Sequence, residues 1–122
     1  MRKILIVEDD EATRVGLDAF LQDAGYQTIA VATVPAGMQV LRTEHVDLVI
    51  SDIRVGAYNG LQIAVAGPRP VQAIFITGFA DPTLGAEARR AGAEFLLKPI
   101  SPPALLAVVE RVLHTATGPP AT

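Results

Sequence analysis

The chain has 122 residues, a net charge of −3 and no cysteine, which excludes a disulfide scaffold and thiolate chemistry. Hydrophobic residues make up 50% and charged residues 19%, so the chain is not disordered and reads as one domain that buries roughly two thirds of its unfolded surface. No Lys/Arg run supplies the basic footprint of a nucleic-acid binder. The apolar run after Met1-Arg2-Lys3 is too short for a signal peptide, and no apolar stretch approaches the roughly 18 residues of a membrane span. The expectation is a soluble, cytoplasmic protein without membrane contact.

Ile4-Leu5-Ile6-Val7 is apolar throughout and bounded by charge, the pattern of a strand buried on both faces. Glu8, Asp9 and Asp10 follow at once. Ala12, Val15, Gly16, Ala19 and Phe20 keep helical spacing and predict an inward face, with Glu11, Arg14, Asp18 and Gln22 opposite and Gly25 as a left-handed stop. A second strand is expected over 28–32. Thr33 then reads as an N-cap with Pro35 in the first turn, opening a helix that turns Val34, Gly37, Met38 and Leu41 inward and ends near Glu44. Met38 reads as a core residue. The third strand runs over 46–51.

A loop follows to Asn59-Gly60, then a short third helix over 61–66 that Gly67-Pro68-Arg69-Pro70 stops. The fourth strand covers 73–76 and ends on Thr77-Gly78. Asp81-Pro82 opens a fourth helix, held only by Leu84, Ala88 and Ala91 and weakened by Gly85. The fifth strand, 94–97, ends on Lys98-Pro99. Ser101-Pro102 opens a fifth helix that keeps Leu105, Val108, Val109, Val112 and Leu113 on one side. Five strand–helix units predict an α/β fold: a doubly wound, five-stranded parallel sheet with five helices.

Four of the five strands end in a reactive polar residue: Glu8 with Asp9, Asp52, Thr77 and Lys98. A parallel sheet sets all these ends along one edge. In the flavodoxin-like strand order 2-1-3-4-5, Asp9 and Asp52 face each other across the switch point between strands 1 and 3. Asp52 lies too far upstream of the helix near Gly60 to cap it, which leaves its carboxylate for chemistry. Clustered carboxylates need a cation or a raised pKa, and hard oxygen ligands suit Mg2+. With a lysine and a hydroxyl beside it, Asp52 has the surroundings of a nucleophile for phosphoryl transfer. His45 and His114 are isolated and read as surface residues. No phosphate-binding glycine motif is present.

The ordered set Ile-Leu-Ile-Val-Glu8-Asp9-Asp10, Ser51-Asp52, Asn59-Gly60, Thr77-Gly78, Gly92-Ala93-Glu94-Phe95 and Leu97-Lys98-Pro99 resembles the receiver domain of bacterial two-component response regulators, from Lys3 to about Thr115. The resemblance implies that Asp52 accepts a phosphoryl group from the phosphohistidine of a sensor histidine kinase or phosphotransfer protein. It implies that Glu8, Asp9 (more directly) and Asp52 hold Mg2+, with the backbone carbonyl of Arg54 as a further ligand. Thr77 and Lys98 would bind the phosphoryl oxygens, and the Lys98–Pro99 peptide would be cis. Phe95 would turn inward with Thr77 on activation, switching the surface of the fourth helix, fifth strand and fifth helix.

The resemblance further implies a regulatory domain over 1–116 that catalyses only its own phosphorylation and dephosphorylation. Residues 117–122 would be a tail or linker, and an output domain or a second copy would be a further partner. Three features depart from the family pattern: Gly56 where proline is usual, the short third helix, and Phe95 without a tyrosine hydroxyl. A phosphatase-like hydrolase would need a substrate cap for which 122 residues leave no room. A flavodoxin-like cofactor binder would need a phosphate loop where Glu8-Asp9-Asp10 stands. A degenerate receiver would lack site residues that are all present.

Overall fold

Period-two side-chain alternation on a sheet covered on both faces requires strands that are apolar at every position, and the chain supplies them. The computed structural model describes residues 2–55, 58–59, 71–78, 86 and 93–117. Its strands are β1 (Lys3–Val7), β2 (Gln27–Val31), β3 (Leu48–Asp52), β4 (Arg54–Val55), β5 (Tyr58–Asn59), β6 (Gln72–Thr77) and β7 (Glu94–Leu97). Five of them form one sheet in the order β2-β1-β3-β6-β7, every neighbour parallel. Among these main strands that is the expected order 2-1-3-4-5. The helices are α1 (Glu11–Asp23), α2 (Val34–Thr43) and α3 (Pro102–Thr117). The helix expected over 61–66, together with Gly56 and Gly85, lies outside the described residues, as does the helix expected over 82–91 apart from Ala86, which is helical.

Alternation divides the core in two. Ile4, Ile6, Leu48, Ile50, Ile74 and Ile76 pack with Leu21 of α1 and Leu105, Val109, Val112 and Leu113 of α3. Leu5, Val7, Val49, Ala73 and Phe75 pack on the opposite face with Val34 and Leu41 of α2. Each fully buried Leu, Ile or Phe contributes roughly 1.5–3 kcal/mol of transfer free energy, and the sheet residues Ile4, Leu5, Ile6, Ile74 and Phe75 are all 0% exposed.

The rotation of α1 differs from expectation. Val15 is 58% exposed, and Ala12, Gly16 and Ala19 are exposed with it. The buried stripe is Leu21 with Leu17 and Phe20 packed beside it. Of the expected face only Phe20 packs inward; with Leu17 and Leu21 it removes more apolar area from water than the alanines and glycine would, so these three set which side faces the sheet. Gly25 ends the helix as expected, at φ +100 and with its N–H donating to the Gln22 carbonyl at 3.0 Å. Thr33 caps α2 by accepting from the Ala36 N–H at 3.2 Å. The stretch after Asp52, expected as a loop, carries the antiparallel pair β4–β5, with Arg54 opposite Asn59.

Candidate functional site

The strand registers bring the expected residues to one edge. β1 ends opposite β3 with Val7 beside Ser51, Asp52 lies beside Ile76, and Thr77 lies beside Leu97. Glu8, Asp52, Thr77 and Lys98 therefore sit at neighbouring carboxyl ends. Parity sorts them further. Asp52 shares the face of Leu48 and Ile50, where α1 and α3 pack, and Glu8 and Lys98 continue that parity from Ile6 and Leu96. Thr77 shares the opposite face with Phe75, against which the partly buried Phe95 packs.

The centre of the site is an ammonium between two carboxylates. Lys98 Nζ lies 2.8 Å from Asp52 Oδ2 and 3.2 Å from Glu8 Oε1. The Glu8 side chain is 4% exposed, that of Asp52 12% and that of Lys98 31%. Burial removes water from Glu8 and holds its pKa above the usual carboxylate range, against the lowering effect of the Asp10 N–H and of Lys98. Burial also disfavours the Lys98 cation, but its hydrogen bond to Asp52 and the charges of Asp52 and Glu8 outweigh that and raise its pKa. The Lys98–Pro99 peptide is cis, as the resemblance implies. The Lys98 N–H donates to the Thr77 carbonyl at 2.8 Å, which ties this turn to the end of β6.

The acidic turn after β1 is held from several sides. The Glu8 N–H donates to the Val31 carbonyl at 3.0 Å, and the Asp10 N–H donates to Glu8 Oε2 at 3.2 Å. Asp10 caps α1, accepting from the Thr13 N–H at 2.9 Å and the Thr13 hydroxyl at 2.6 Å. These bonds hold its carboxyl below the usual range. Asp9 is exposed beside this turn. Among the described residues no three acidic or imidazole side chains stand ready to enclose a cation. The expectation of converging carboxylates thus holds for Glu8 and Asp52, with the Lys98 ammonium between them. The donor set still suits Mg2+: its carboxylate oxygens are hard ligands, and the Lys98 ammonium balances their charge.

Helical spacing puts Arg14 on the solvent side of its helix and gives no hint of its contact with the acidic turn. Its Nη1 donates to the Glu8 carbonyl at 3.0 Å. Spacing gives no hint of the bond of Lys98 to Glu8 either. A basic residue one turn past an acidic strand end was the available signal for Arg14. His45 lies 3.3 Å from Asp47, at the opposite edge of the sheet, and is 64% exposed. His114 is exposed near the end of α3. Neither belongs to the site.

A family model described as the response regulator receiver domain matches residues 4–110. The chain is 34% identical over 125 residues to the transcriptional regulatory protein YxdJ of Bacillus subtilis, covering 97% of this chain and 53% of that protein. The chain thus spans about half the length of that curated relative; of two others it spans 24% and 57%. A CheY-like receiver domain from Methanospirillum hungatei superposes with a TM-score of 0.88 at 28% identity, covering 94% of this chain and 95% of that one. The non-phosphorylated HemR receiver domain from Leptospira biflexa gives 0.87 at 28% identity, covering 100% of both.

Proposed function

Since the chain belongs to the response regulator receiver domain family, a regulatory module of two-component signalling, we propose that Asp52 is its phosphoacceptor. The observation that carries this is the Lys98 ammonium bridging Asp52 and Glu8 at the carboxyl edge of the sheet. An Asp52 oxygen attacks the phosphorus of a phosphohistidine. The new O–P bond forms as the P–N bond breaks, and the departing imidazole nitrogen keeps the electron pair and takes a proton from solvent. Lys98 stands where a phosphoryl oxygen on Asp52 would lie and holds its position through the turn tied to Thr77. The Thr77 hydroxyl is a second donor to the phosphoryl oxygens. Glu8, Asp9, Asp52 and the Arg54 carbonyl would hold Mg2+, which when bound supplies positive charge against the phosphoryl oxygens.

The readout proceeds through Thr77 and Phe95, which share a sheet face. Thr77 drawn toward the phosphoryl group frees space beside β6, and Phe95 turns into it. The surface of β7 and α3 then changes, together with the helix expected over 82–91. On this surface Arg111 of α3 pairs with Glu94 of β7, and Leu97 is 49% exposed.

The phosphodonor in this reading is a cytoplasmic sensor histidine kinase or phosphotransfer protein. A groove of about 380 Å³ beside Lys98, lined by Ala12, Gly16, Leu17, Phe20, Pro99 and Ile100, offers it an apolar landing. The domain spans 1–116, with 117–122 as tail or linker. Relatives about twice its length are transcriptional regulatory proteins, which supports pairing with an output domain. The test is intact mass after incubation with acetyl phosphate and Mg2+. The expected result is a gain of one phosphoryl group that Asp52→Asn abolishes; an equal gain in the variant overturns the assignment.

A further inference from the structure

We infer that Arg14 is a positioning residue for the acidic turn, holding the Glu8 carbonyl so that the site binds Mg2+ tightly; the inference rests on the reading of this site as a receiver centre. Arg14 lies in the first turn of α1, its N–H donating to the Asp10 carbonyl at 2.9 Å. Helical side chains lean back toward the N-terminus, which brings the guanidinium over the turn it follows. There its Nη1 donates to the Glu8 carbonyl at 3.0 Å. That placement is electrostatically poor for the helix, because a cation at the amino end opposes the macrodipole. It is the carbonyl contact, rather than helix stability, that accounts for an arginine at this place.

With this bond every polar group of Glu8 is engaged. Its N–H holds the end of β2 through Val31, and its carbonyl is held by α1 through Arg14. One carboxylate oxygen accepts from the Asp10 N–H and the other from Lys98. Asp9 is the next residue, so its backbone follows the turn that these anchors hold. Removing Arg14 frees one of the four and loosens the turn that carries two of the Mg2+ ligands.

The sign of the effect is diagnostic. A guanidinium beside an acidic site repels a divalent cation, so loss of charge alone would tighten Mg2+ binding. Loss of positioning weakens it. The test is calorimetric titration with Mg2+ alone of the wild type, Arg14→Met and Arg14→Lys, with metal-free melting of each. The expected result is binding about tenfold weaker in Arg14→Met, as for other groups that orient metal ligands, and partial recovery in Arg14→Lys. Arg14→Met binding as tightly as wild type, or more tightly, overturns the proposal. A wild type that binds no Mg2+ overturns the reading of the site and this inference with it. If Arg14→Met also melts lower, phosphorylation by acetyl phosphate against Mg2+ concentration decides. A half-saturating Mg2+ concentration raised about tenfold supports positioning, and an unchanged one overturns it.

Discussion

Lys98→Met removes the ammonium between buried Glu8 and partly buried Asp52, and the size of the effect follows from the geometry. At 2.8 Å and 3.2 Å from Asp52 and Glu8, the gross attraction to Asp52 alone is about 1.5 kcal/mol at the dielectric of water and about 6 kcal/mol at an effective value near 20. The Lys98 side chain is 31% exposed, so water screens it and the ammonium recovers hydration when released. Breaking a fully buried pair costs about 3–5 kcal/mol; screening brings the expected metal-free loss to about 2–3 kcal/mol. Mg2+ should offset much of this. In the variant the carboxylates have no ammonium to exchange, so Mg2+ should bind at least about tenfold tighter than in wild type, worth about 1.4 kcal/mol at saturation. The assay is urea unfolding by circular dichroism, in chelator and in saturating Mg2+, for both proteins. The stability gap should narrow by at least about 1.4 kcal/mol when Mg2+ is present. A gap of the same size in both conditions would refute the idea that the ammonium holds the place of a cation.

Leu21→Ala should cost about 2–5 kcal/mol, since Leu21 is 0% exposed, while Val15→Ala, at 58% exposure, should stay within about 0.5 kcal/mol; similar losses would contradict the rotation of α1. Thr33→Ala should cost about 1 kcal/mol in urea unfolding through loss of the cap on Ala36; an unchanged midpoint would count against that cap. Glu8 has a pKa raised from 4.5, so its contribution is full below that value and lost as pH rises through the raised one. In chelator the stability of Glu8→Gln relative to wild type should therefore improve between about pH 4 and pH 7, and a worsening would show that pairing with Lys98 dominates over burial. Thr77→Ala should still gain a phosphoryl mass but lose the change in amide exchange that a bound phosphoryl mimic produces over β7. Wild-type-like exchange changes in that variant would exclude Thr77 as the link.

The order and location of the five main strands and of α1, α2 and α3 were legible because they depend on local pattern, whereas the β4–β5 pair stands where a loop was expected. Ile4-Leu5-Ile6-Val7 has no polar position, so it must lie between two covered faces. Glu8, Asp52, Thr77 and Lys98 each follow an apolar run, and a parallel sheet places such ends on one edge whatever the details of packing. Gly25 and Thr33 announce a stop and a start through backbone chemistry that needs no distant partner.

The facing of α1 was not legible. Two stripes of that helix keep apolar spacing and meet at Phe20, and only the competition for area against Ile4 and Leu48 selects Leu17 and Leu21 over Ala12, Val15 and Ala19. The bonds of Glu8 to Lys98 and Arg14 span 90 and 6 residues; the first has no local signature, and the second has only a basic residue one turn past the strand end. Long flexible cations leave no periodic trace in sequence; their partners are set by which carbonyl or carboxylate the fold brings within reach. Local pattern thus determined that a polar edge exists and which residues stand on it. Tertiary packing decided which of those residues touch, because a hydrogen bond requires a distance of about 3 Å that only the assembled sheet and helices impose.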